Sequence, residues 1–142
     1  MISAIIAVTG VGSTVPVTDT AYGTIATNVE ATEQVATVEE NTEVAVRKYF
    51  SDTPVLIQVA RCESTFRQTL ADGSVLRGKV DSRDIGVMQI NTFYHGDEAA
   101  ALGLDLTKLE DNMAFAKALY EKKGTAPWKS SEACWGRSLA SL

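Results

Sequence analysis

Thr53-Pro54-Val55-Leu56-Ile57-Gln58-Val59-Ala60-Arg61-Cys62-Glu63-Ser64-Thr65-Phe66, residues 53–66, reads as one amphipathic helix that carries an acid on its apolar face. Thr53 suits an N-cap, and Pro54 suits the first helical position, where a missing N–H breaks no hydrogen bond. Leu56, Val59, Ala60 and Glu63 then recur at i, i+3, i+4 and i+7 and share one face. Most helical acids are solvated surface groups. Glu63 instead continues a stripe that should meet the core, and it does so at the C-terminal end of the helix. The apolar surroundings desolvate its carboxylate and the negative end of the helix dipole repels it, so both effects favour the protonated form. A carboxylic acid that keeps its proton near neutral pH can act as a general acid.

Working outward, Glu43–Phe50 (EVAVRKYF) is a short helical candidate with Val46, Tyr49 and Phe50 available for packing. Beyond Phe66 the pattern changes. Asp72-Gly73 is a turn signal, and SVLRGKV and DIGVMQIN on its far side predict a small irregular β-hairpin or extended lobe. Gly96-Asp97 is expected to open a short helix that Gly103 closes. Thr107 and Glu110 form a capping-box pattern ahead of a longer helix that Gly124 stops. Within it Leu109, Met113, Ala116 and Tyr120 mark the core face. The segment GTAPWKSSEACWG carries both tryptophans and the second cysteine. The expected fold is α+β and predominantly helical, with a domain over 43–142.

Composition narrows the partner. The 142 residues are 45% hydrophobic and 22% charged, with a formal net charge of −5. That acidity sits at the start: residues 1–43 hold six acids and no Lys or Arg, and the remainder is close to neutral. A near-neutral body lacks the basic face that nucleic acid requires. Residues 1–42, rich in Thr, Val, Ala and Glu, show neither helical nor strand periodicity. They read as a flexible acidic linker, and the apolar MISAIIAV start is compatible either with the remnant of a signal or anchor or with a plain unstructured start. No stretch is long and apolar enough to span a membrane. Cys62 and Cys134 do not make a CxxC pair, and the lone His95 is too little for a zinc site, so no metal is expected. The two cysteines are compatible either with one disulfide or with two buried thiols. No phosphate-cradling loop is present and no cofactor is implied.

Three blocks together add a resemblance. Glu63-Ser64 ends a helix, Gly86-Val87-Met88-Gln89-Ile90-Asn91 follows about two dozen residues later, and Asn112-Met113 with Ala116 and Leu119-Tyr120 marks the next core helix. In this the chain resembles the lysozyme-like soluble lytic transglycosylase domains over roughly residues 44–136. The resemblance implies peptidoglycan glycan strands as the partner and Glu63 as the single catalytic acid, then base. Ser64 would steady the local geometry, Met88, Gln89 and Asn91 would line the glycan groove, and Gly86 would let backbone approach the sugar closely. The family's Ala-Tyr-Asn motif after the core helix is missing; Tyr120 or Trp135 is expected to stand in for its Tyr. The Cys-Glu-Ser start with a late cysteine is also similar to resuscitation-promoting-factor domains, which implies a Cys62–Cys134 disulfide. Such a bond implies an oxidising, extracytoplasmic setting, secreted or in a bacterial envelope. The oligomeric state is open, with a monomer the simpler expectation.

Two outcomes follow for a glycan. A two-carboxylate glycosidase needs a second acid across the bond, and Asp81 and Asp84 are the only nearby candidates, although turn formation accounts for either. With one carboxylate, the family's route is intramolecular attack by the sugar's own 6-hydroxyl to give a 1,6-anhydro product. A hydrolase of lysozyme type and a non-catalytic glycan-binding module are the alternatives. Trp128 and Trp135 are either sugar platforms or core. His95 is expected at the surface or in a cap.

Overall fold

The structure, a computed structural model, describes residues 41–139; the expected linker and apolar start lie outside them, except for Asn41 and Thr42, which are already helical. Helix α1 covers the described residues 41–49 and buries Val46, with Phe50 buried just after it. Helix α2 is Pro54–Ser64, β1 is Asp84–Ile85, β2 is Ile90–Asn91, α3 is Thr92–Ala101, and α4 is Leu109–Lys123. A 3-10 turn, Ala126–Ser131, leads directly into α5, Glu132–Leu139. The architecture is helical with one small antiparallel pair, Asp84 opposite Asn91 and Ile85 opposite Ile90. Isolated bridges Thr69–Val75 and Arg77–Ile85 widen that pair into an irregular lobe.

Helix α2 forms as its sequence predicts. Pro54 occupies the first turn, and Leu56, Val59 and Ala60 are fully buried. Thr53, however, does not cap with its side chain; its hydroxyl donates to Asp52 at 3.1 Å. The helix ends at two consecutive left-handed residues, Thr65 (φ 55°) and Phe66 (φ 59°). Neither is glycine, so the exit from the helix is strained, on the order of 1–2 kcal/mol per residue. Ser64 holds this corner: its buried hydroxyl donates to Ala60 O and accepts from Arg67 N.

Helices α3 and α4 start differently from expectation. Helix α3 begins at Thr92, not at Gly96-Asp97, because Asn91 Oδ1 caps it by accepting the Phe93 N–H at 3.0 Å. Gly96 lies inside the helix. His95 also lies within α3; its ring is largely buried, tilted against Phe115 of α4 at 5.6 Å, so it packs rather than caps. The Thr107–Glu110 capping box does not form. Asp105 accepts both the N–H and the hydroxyl of Thr107, and α4 starts after Lys108. Gly124 does stop α4, at φ 60°. Along α4 Met113, Phe115, Ala116 and Leu119 are buried, while Leu109 and Tyr120 pack at the core's margin.

The disulfide is present: Cys62 on α2 is bonded to Cys134 on α5, with 6.0 Å between Cα atoms. Arg61 and Ser138 add a hydrogen bond between the same two helices. Trp128 and Trp135 are both buried, so each is core rather than an exposed platform. Among the described residues no helix is long and apolar enough to cross a membrane.

Candidate active site

Glu63 stands on the last turn of α2, half-buried, with α5 and the 3-10 turn packed against its helix. Burial pushes its carboxyl above the usual Glu range. Two further groups act on it. The Ser131 hydroxyl lies 2.6 Å from Glu63 Oε1 and favours the ionised form by donating to it. The negative charge of Asp84, across on β1, favours the protonated form. Desolvation is the largest of the three influences, so the balance shifts the carboxyl toward its protonated form relative to an ordinary Glu.

Ser131 is poised for both protonation states. Its oxygen is also 3.1 Å from Trp128 O. A hydroxyl has one proton to give. With Glu63 ionised, that proton points to the carboxylate. With Glu63 protonated, the carboxylic acid donates to Ser131, and Ser131 turns its own proton to Trp128 O. Trp135 Nε1 donates to the same carbonyl at 3.0 Å and fixes it in place. Among the described residues the hydrogen bond to Glu63 comes from Ser131, not from Tyr120 or Trp135. Trp135 is committed to Trp128 O, and no hydrogen bond joins Tyr120 to Glu63 among the described residues.

The strand wall is set by buried amides. Asn112, fully buried on α4, accepts the Met88 N–H at 3.0 Å and donates to Ile85 O and Leu106 O. Gln68 accepts the Val87 N–H at 2.8 Å and donates to Leu106 O and Thr107 O. Trp128 Nε1 donates to Met88 O at 2.9 Å. Gly86, at φ 72°, has a role that differs from the expected one. A Cβ there would lie 2.5 Å from Asn112 Nδ2 and 2.7 Å from Gln68 Oε1. The close approach that Gly86 permits is thus of these two amides to the backbone, inside the protein.

The other candidates separate in the same way. Met88 is fully buried and does not line a surface groove; its role is to present backbone N–H and C=O to Asn112 and Trp128. Ser64 is buried and internal. Gln89 is half-buried at φ 49° and its amide donates to Gly86 O, which holds the turn. Asn91 is half-buried and donates to both Asp84 Oδ1 (2.7 Å) and Asp81 Oδ2 (3.1 Å). Asp81 is a turn residue: it accepts the Arg83 N–H and pairs with the Arg83 guanidinium, which holds its carboxyl well below the usual Asp range. Among the described residues, Asp84 is the carboxylate whose charge acts on Glu63.

A pocket of about 420 Å³ at the end of α4 is lined by Lys123, Thr125, Lys129, Glu132 and Trp135 among others, and Glu63 is not part of its lining. Ser131 had no signature in the sequence; it lies 68 residues from Glu63 and only the packing of the 3-10 turn on α2 brings them together. Compared with family models, curated proteins and solved structures, the chain has no match.

Proposed function

We propose that this chain is a lysozyme-like lytic transglycosylase that cleaves the β-1,4 bond between N-acetylmuramic acid and N-acetylglucosamine in peptidoglycan. One observation carries the reading: the half-buried Glu63 carboxyl, held toward its protonated form at a helix end and touched by a single hydroxyl. Protonated Glu63 gives its proton to the glycosidic oxygen as the C1–O bond breaks. The N-acetyl oxygen of the muramic acid supports the cation at C1. Ionised Glu63, steadied by Ser131, then removes the proton of that sugar's 6-hydroxyl, and the oxygen closes on C1. The anhydro ring forms, Glu63 regains its proton, and no water is consumed. The tethered hydroxyl is already at high effective concentration, so no nucleophilic side chain is needed. The Cys62–Cys134 disulfide supports an extracytoplasmic setting.

Hydrolysis of the same bond is a second reading, because the charge of Asp84 is felt at Glu63. There Asp84 would position a water. Product masses separate the two, since an anhydro end is one water lighter than a reducing end. The Glu63→Gln variant tests both: lysis of purified wall should fall by about a thousandfold while the melting transition is kept. Undiminished lysis in that variant would remove Glu63 from the chemistry. Asp84→Asn should leave anhydro products unchanged; reducing ends as the wild-type product, lost in Asp84→Asn, would favour the hydrolase.

A further inference from the structure

The cavity at the end of α4 takes no part in the chemistry proposed for Glu63. It holds about 420 Å³, within the roughly 300–1,000 Å³ of small-molecule sites. Its wall comes from the end of α4 with Lys123, from the turn at Gly124 and Thr125, and from the junction of the 3-10 turn with α5, which brings Lys129, Glu132 and Trp135. Gly124 makes the turn at φ 60°, and a Cβ added to it would meet no atom within 4 Å, so the chain leaves this edge unfilled. Trp135 is buried and its indole N–H is taken by Trp128 O, so what it offers the cavity is apolar.

The charges on this wall are left open. Lys122, one residue before Lys123, closes onto Glu98 at 2.5 Å. Among the described residues Lys123 and Lys129 have no carboxylate in salt-bridge range, and Glu132 has no cation. Lys129 and Glu132 stand three residues apart, a spacing at which opposite charges pair on a helix, yet they do not pair. A purely anionic ligand would meet Glu132 and a purely cationic one would meet two lysines, each at a like-charge cost. A ligand with one carboxylate and one ammonium answers all three groups. The C-terminal end of α4 adds its negative dipole on the side of the ammonium. Size selects among such ligands. A cavity of about 150 Å³ already holds benzene, so this one has room for two or three small residues. We infer that the cavity binds a short peptide with a free carboxylate and a free amine, the carboxylate between Lys123 and Lys129, the amine at Glu132, and the apolar part against Trp135. Capture of peptide ends by charged groups is a recurring mode of recognition.

The test is a titration of the full chain, by calorimetry at low salt, with trialanine free at both ends and with the same peptide N-acetylated or C-amidated. Trialanine should bind, and either block should weaken it about fivefold, the worth of one exposed charge pair. Reversing one charge should swap the order: Glu132→Lys should prefer the N-acetylated peptide, and Lys129→Glu the C-amidated one. Both side chains are exposed, so the melting transition should stay in place. No binding of trialanine at millimolar concentration, equal affinity for all three peptides, or an order that charge reversal leaves unchanged would each overturn the site. Competition then names the source. A peptide still joined to glycan that displaces trialanine sets it in the wall, displacement by free peptides alone sets it in solution, and either result supports the site. No cleavage is involved, so the peptidoglycan reading and this site stand or fall separately.

Discussion

On the helical side of Glu63 the chain is closed by a covalent bond and by apolar packing; on the strand side it is held by side-chain amides. Helices α2 and α5 meet through Cys62–Cys134, with Trp128 and Trp135 buried beside them. The strand wall has two paired residues per strand, too few to satisfy its own backbone. Gln68, Asn112 and Trp128 supply the missing partners at Ile85, Val87 and Met88. The difference has a physical reason. A disulfide chiefly restricts the unfolded chain and places few atoms. Directional hydrogen bonds to a buried turn fix its position within tenths of an ångström. Glu63 thus stands on the covalently closed side, and the turn through Val87 and Met88 is built for placement.

The comparison breaks most readily at the disulfide. Its loop, with a sequence separation of 72, should contribute about 4 kcal/mol in the chain-entropy model. A Cys62→Ala, Cys134→Ala double variant is expected to lose that much in urea, with a larger m-value as the released unfolded chain expands. A loss below about 1 kcal/mol would mean that apolar packing alone holds α2 to α5.

Asn112→Ala should cost less, about 2 kcal/mol, because it leaves Met88 N–H and Ile85 C=O without their side-chain partner at roughly 1 kcal/mol each, while Leu106 C=O keeps Gln68. Its signature is local. Amide exchange at residues 85–88 should rise ahead of exchange in α2, whereas the cysteine variant should affect both through global unfolding. Unchanged protection at Val87 and Met88 in Asn112→Ala would show that the strand wall does not depend on the amides.

The same contrast explains what was legible in the sequence. Helix α2 and the buried set Leu56, Val59 and Ala60 follow from spacing and from Pro54, both local signals. The core face of α4 and its stop at Gly124 were legible for the same reason. The starts of α3 and α4 were not, because capping was decided by competition: Asn91 caps α3 ahead of the expected opening at Gly96-Asp97, and Asp105 takes the Thr107 hydroxyl that a capping box would use. Gly96 reads as a breaker but is tolerated in a helix at about 1 kcal/mol. In the site, burial beside a hydrophobic stripe pointed to Glu63. The resemblance puts Met88 toward a groove, but the residue is drawn inward by Trp128, 40 residues away, whose indole N–H bonds its carbonyl, a pairing with no local signal in the sequence.

The smallest expected effect concerns the proton itself. The native chain holds the Glu63 proton more tightly than the unfolded chain, since desolvation raises the native carboxyl. That contribution to stability is present in full below the unfolded pKa, about 4.3. It is lost as pH rises through the higher native value. Partial exposure of Glu63 keeps the effect modest. The Ser131 hydroxyl opposes the rise by donating to the carboxylate. Ser131→Ala removes that donor, so the alkaline limb of the lysis profile, where the general acid loses its proton, should move to higher pH. Ser131→Thr, which keeps a hydroxyl, should return it. A merely structural role for Ser131 would lower activity at every pH and leave the limb where it was, so the position of the limb, and not the rate at its maximum, decides whether Ser131 tunes the acid.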